Sequence, residues 1–126
     1  MPRFALLEHT GAPDDPVGRH FDLLLEGDRA CRTWRLVEPP VAGGPAVAAH
    51  ELPPHRLAWL DCVEAEVSGG RGVARRVDAG TFAVVSLDAA TLDAATAIVI
   101  AVIGGAASGR MRVESVGGGW AVSMMA

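Results

Sequence analysis

The chain has 126 residues, half of them apolar, and a formal net charge of −4. That length suits one domain with a real core and leaves no room for two, and the apolar fraction excludes an intrinsically disordered chain. The acidic balance argues against a protein that coats nucleic acid through a basic surface, while still allowing a grip on one terminal phosphate. In chain order, RFALLE (3–8) reads as a first strand and HTGAPDDPVGR (9–19) as a polar loop. HFDLLLE (20–26) and RACRTWRLV (29–37) form a hairpin through the Gly27–Asp28 turn signal. EPPVAGGP (38–45) is irregular, AVAAHEL (46–52) is a short strand, and PPHRLAWLD (53–61) holds one helical turn with proline at its start. GVARRVD and TFAVVSL flank Ala79–Gly80 as a second hairpin, and LDAATLDAAT (87–96) includes a short helical turn. AIVIAVI, GRMRVESV and WAVSMM close the chain as a three-strand meander, with GGAASGRM (104–111) as a hairpin turn. The expectation is all-β: one domain over 1–126, a small closed or partly open barrel of about eight short strands with one or two short helical turns.

Several residue types are missing. The chain contains no Lys, Tyr, Asn or Gln, and every basic side chain other than its four histidines is Arg. Schiff-base chemistry, a lysyl-nucleotide intermediate and a P-loop lysine are thereby excluded. Acid–base work falls to His9, His20, His50, His55 or the carboxylates. Arg32 with Arg35, and Arg71 with Arg75 and Arg76, are the local basic clusters. Cys31 and Cys62 lack CxxC spacing and read as free structural residues, not as a structural zinc site. The longest apolar run, 95–107, is too short to span a bilayer and is broken by Gly104 and Gly105; MPRFALLEHT lacks the features of a signal peptide. The expectation is a soluble cytoplasmic protein with no membrane partner.

Within HFDLLLE, Phe21, Leu23 and Leu25 share one face of the strand, and His20, Asp22 and Leu24 the other. A water-facing His and Asp on a strand need no special role. Facing an enclosed space, an imidazole and a carboxylate about 6–7 Å apart on one face can close on one metal ion. His9 ends the first strand and His20 opens the second, so pairing of the two strands would bring a second imidazole to the same place. His9, His20 and Asp22 are therefore candidate metal ligands, expected on the inner face of the barrel. Trp34, Trp59 and Trp120 sit in apolar patterns and read as core, His50 as structural, and the SGGRG turn (68–72) as a plain hairpin connection.

The order H…HFD, RTWRL…P, HRLAWLD…VSGGRGVARRVDAGTF and GRMRV…GGGW, from about Phe4 to Trp120, resembles the 3′-phosphoesterase domain of bacterial DNA ligase D, and its small stand-alone relatives even more. The resemblance implies a compact β-barrel that uses manganese, or another divalent transition metal, to remove a 3′-terminal phosphate or ribonucleoside from DNA or RNA ends in repair. It implies His9, His20 and Asp22 as metal ligands and His55 as a phosphate contact; by its chemistry His55 could instead protonate the leaving oxygen, and Arg56 beside it, or one of Arg71, Arg75 and Arg76 from another strand, could neutralise phosphate charge. Nucleic-acid 3′ ends, with repair ligase or polymerase components, are the implied partners. The chain departs from the pattern at Leu24, where the family has a phosphate-holding Arg, at Trp59 in place of Tyr, and at Glu38 where a Lys is expected. Loss of one such donor typically costs about 10²–10³ in rate. The alternative reading is a catalytically weakened module that binds a metal or a nucleic-acid end in a repair assembly.

Overall fold

The computed structural model describes residues 1–106 and 108–125. The strands are β1 (Arg3–Thr10), β2 (Arg19–Glu26), β3 (Cys31–Leu36), β4 (Val47–His55), β5 (Glu64–Glu66), β6 (Val73–Leu87), β7 (Ala97–Ile103), β8 (Gly109–Val116) and β9 (Gly119–Met124), with one 3₁₀ turn at Leu57–Asp61. They pair antiparallel in the order β1-β2-β3-β4-β9-β8-β7-β6, and β6 returns to β1, closing the barrel. β5 is a short addition on β6. The all-β barrel expected from the short alternating segments is the fold.

Alternation places one apolar set in the lumen. Phe4, Leu6, Phe21, Leu23, Leu25, Trp34 and Leu36 meet Phe82, Ile98, Ile100, Val113 and Val122 from the opposite wall. A second, smaller core lies outside the wall of β1, β2 and β3. Ala5, Leu7, Leu24 and Cys31 form an apolar seat there, and Leu57, Trp59 and Leu60 of the 3₁₀ turn cover it. Both faces of β2 are consequently buried. His20, Asp22 and Leu24 share the outer face with this seat, so the expected inner-face location is reversed. The lumen was already filled by the larger alternating set, Phe21, Leu23 and Leu25.

The expected hairpin at Ala79–Gly80 is instead the middle of one long strand, Val73–Leu87. One edge of β6 holds β1, while the other changes partner, from β5 at Val73–Arg75 to β7 from Thr81 onward. Gly80 serves close approach and not a turn: a Cβ there would stand 2.4 Å from the Ile103 carbonyl oxygen. Pro53 and Pro54 belong to the end of β4, not to a helix start. Lacking N–H donors, they fall where the β3–β4 register shifts, between Thr33↔Leu52 and Cys31↔His55. The segment after β6 forms a non-helical turn in which Asp88 accepts from the backbone of Thr96 and Ala97. β5 is too short to show a period in the sequence. GGAASGRM does connect β7 to β8, with Ala107 outside the described residues.

Both cysteines are free, and burial, aided by Glu26, pushes the Cys31 thiol up to about 11. Among the described residues no helix is long and apolar enough to cross a membrane.

Gly80→Val should destabilise the barrel by about 1–3 kcal/mol through overpacking against the β7 backbone. Urea denaturation measures this, and a midpoint equal to wild type would show that β6 and β7 are not held this closely.

Candidate metal centre and adjoining cleft

His9 and His20 lie directly opposite each other on β1 and β2, and Asp22 is one pleat further along β2. All three are buried, and one potential ligand atom from each lies within 4.8 Å of the others. His20 Nε2 is 3.1 Å from His9 Nδ1 and 3.5 Å from Asp22 Oδ1.

The opposite nitrogens of the two rings determine what meets in the centre. His9 Nε2–H donates to the Arg71 carbonyl at 2.6 Å, because a carbonyl can only accept. His20 Nδ1–H donates to Asp15 Oδ2 at 3.0 Å, and that bond holds the Asp15 carboxyl below its usual range and thus ionised. With both rings neutral, His9 Nδ1 and His20 Nε2 turn lone pairs toward each other. Asp22 Oδ1, buried and without a hydrogen-bond partner among the described residues, adds a third acceptor. Three converging acceptors require a cation, either a proton or a metal ion. The two-nitrogen, one-oxygen donor set suits a divalent transition metal better than Ca²⁺ or Mg²⁺, which favour oxygen alone. Carboxylate and carbonyl partners on the far ring nitrogens are also the usual support for ligating histidines.

A proton competes for this position. Burial acts to lower the His20 pKa, but the Asp22 and Asp15 carboxylates outweigh it and raise the net value.

Beside the triad opens a cleft of ≈ 670 Å³ whose lining includes His9, Asp22, Arg35, His55, Arg56, Trp59 and Arg71. The β4 end and the 3₁₀ turn bring His55, Arg56 and Trp59 over the wall. His55 Nδ1–H donates to the Pro53 carbonyl, which fixes the ring at the cleft edge. Arg56 is exposed and makes no side-chain hydrogen bond or ion pair among the described residues. The structure thus brings all five candidate residues, His9, His20, Asp22, His55 and Arg56, to one region. Leu24 packs fully buried in the apolar seat and contributes nothing polar. Glu38 and His50 are exposed.

Neither basic cluster stays together. Arg32 turns inward, pairing with Glu51 and lying 5.0 Å from the ring centroids of Trp34 and Trp120, whereas Arg35 faces outward into the cleft. Arg75 pairs with Glu8 and Arg76 donates to the Leu60 carbonyl, leaving Arg71 at the cleft. Trp34 is core as expected, while Trp59 both packs on the outer seat and lines the cleft. The SGGRG segment connects β5 to β6, and it also supplies the carbonyl that orients His9. Arg35 was legible only as a member of a basic cluster with Arg32, without its place beside Asp22, and Asp15 was not singled out because it lies in a loop whose path the sequence does not give.

Asp15→Ala should weaken Mn²⁺ binding about 10- to 100-fold, measured by titration calorimetry, because His20 loses the partner that fixes its tautomer. Unchanged affinity would remove Asp15 from the site. A raised folded-state pKa means that protonated His20 stabilises the metal-free protein fully below about pH 6.5, and that this contribution is lost as pH rises through the raised value. Over the same window Mn²⁺ uptake should rise by up to about tenfold per pH unit as the proton leaves. Thermal midpoints and calorimetric titrations on one pH series check both directions.

Comparison with protein-family models and with curated proteins gives no match for this chain.

Proposed function

We propose that the protein is a metal-dependent phosphoesterase that removes a 3′-terminal phosphate or ribonucleoside from nucleic-acid ends. One observation carries this reading: three buried acceptors, two of them with their proton positions fixed from behind, converge at the wall of a cleft that also holds His55, Arg35, Arg56 and Arg71. The resemblance to the ligase D phosphoesterase domain supports the choice of substrate, and the donor set is compatible with Mn²⁺.

His9, His20 and Asp22 would hold the ion through His9 Nδ1, His20 Nε2 and an Asp22 carboxylate oxygen. When bound, such an ion supplies Lewis acidity toward a phosphoryl oxygen. His55 keeps Nδ1–H on Pro53, so its Nε2 is the atom available to contact a phosphate oxygen or to deliver a proton to the leaving oxygen. Arg56, exposed at the rim and without an ion pair among the described residues, neutralises phosphate charge, and the half-buried Trp59 offers a flat wall for a terminal base.

A second reading has its own observation. Leu24 is fully buried in the outer apolar seat, so the position that holds a phosphate donor in the resembled family supplies none here. That favours a module that retains the ion and binds an end without turning it over.

Release of phosphate from a 3′-phosphorylated DNA primer separates the two. The enzyme requires Mn²⁺ for release and loses at least about 10²-fold of it in Asp22→Ala. No release, together with Mn²⁺ binding that Asp22→Ala abolishes, identifies the binding module.

A further inference from the structure

We infer that Arg35 is the residue that binds an oxyanion of the phosphate class beside the His9–His20–Asp22 centre, an inference that rests on the metal reading above. Arg35 stands opposite Asp22 in the β2–β3 register and reaches the same cleft as His55 and Arg56. Its Nε is buried and makes no hydrogen bond among the described residues. Asp22 Oδ1, also buried and also without a hydrogen-bond partner, is 3.9 Å away. A buried donor and a buried acceptor face each other at a separation too long for a bond, and leaving both unmet is costly.

A cation in the triad resolves the acceptor, because Asp22 then turns its charge to the ion. Arg35 is left with a buried donor and no acceptor. An anionic oxygen entering the cleft next to the ion would supply that acceptor. The guanidinium's other contact does not compete strongly: Nη1 lies 3.4 Å from Asp14 Oδ2, and the Asp14 side chain is 71% exposed. Asp14 can therefore yield its place to a better-matched oxyanion, which a planar guanidinium can take in a two-point grip. Arg35 comes from β3, not from the β2 position occupied by Leu24, so the anion is held from the neighbouring strand.

This role predicts effects of opposite sign, which a merely structural role does not. Arg35 places positive charge next to a cation ligand, so it opposes metal binding while favouring the anion. Arg35→Gln should strengthen Mn²⁺ binding in phosphate-free buffer about 3- to 10-fold. It should weaken inorganic phosphate binding to the Mn²⁺-loaded protein about 10- to 100-fold. Arg35→Lys keeps the charge and loses the fork, so Mn²⁺ affinity should remain at the wild-type value and phosphate affinity should fall between wild type and Gln.

Calorimetric titration of the full chain with MnCl₂, then with phosphate, reads both affinities. A short oligonucleotide with a 3′-phosphate forms a third arm. Tighter binding than inorganic phosphate, with the same dependence on Arg35, identifies a nucleic-acid end as the source of the oxyanion, and equal affinity identifies free phosphate. If Arg35→Gln weakens both Mn²⁺ and phosphate, Arg35 only braces Asp22 and the inference is overturned while the metal centre stands. If Gln does not fold, Lys decides: phosphate affinity equal to wild type overturns the inference. Wild-type protein that takes up no Mn²⁺ removes the metal reading itself, a result distinct from either of these.

Discussion

The two hydrogen bonds behind the histidine rings govern the outer wall of this barrel. A carbonyl behind His9 and an ionised carboxylate behind His20 leave each ring only one place to put its lone pair, and the strand register turns the two lone pairs toward each other beside Asp22. Three acceptors packed together out of water are unfavourable without positive charge between them. The polypeptide therefore builds a demand for positive charge into its wall, and the Asp22 and Asp15 carboxylates that help create it raise the His20 pKa against the effect of burial.

The surrounding packing keeps that demand local. The lumen is filled by large apolar side chains and carries the stability of the barrel, while the outer seat is small and is closed by a single 3₁₀ turn. Leu24 belongs to that seat. It packs in one cluster with Leu7 and with Leu60 and Trp59 of the turn, so its burial helps to seat the turn that carries Trp59 to the cleft. Function and folding make different uses of adjacent positions on β2: Asp22 faces the centre and Leu24 the covering turn.

Much of this was legible in the amino-acid order. Period-two alternation in RFALLE, HFDLLLE and CRTWRL gave the strands, and the spacing of His9, His20 and Asp22 gave a triad that the β1–β2 pairing does bring together. Which face was inside was not legible, because an apolar residue on either face of β2 ends up buried and alternation alone does not say against what. Ala79–Gly80 looked like a turn because small residues serve both turns and close strand crossings, and only the approach of Ile103 distinguishes them. Arg35 was visible as a basic residue near Arg32, but its place beside the triad was hidden for a related reason. Its meaning depends on standing across from Asp22, and register is a property of two strands, not of one.

The barrel closes through β1 and β6, which are far apart in the chain: the bond from His9 to the Arg71 carbonyl spans 62 positions. Hairpin contacts such as β1–β2 form early and locally, whereas closure of the ring must wait for a long loop to be ordered. His9 and His20 meet in the local step, but the group that sets the His9 tautomer arrives only with closure. Gly72 makes that arrival possible, since a Cβ on it would lie 1.9 Å from the Thr10 carbonyl oxygen of β1. The proton arrangement of the triad is thus a property of the sealed cylinder, because a chain whose ring is open lacks the carbonyl that orients His9.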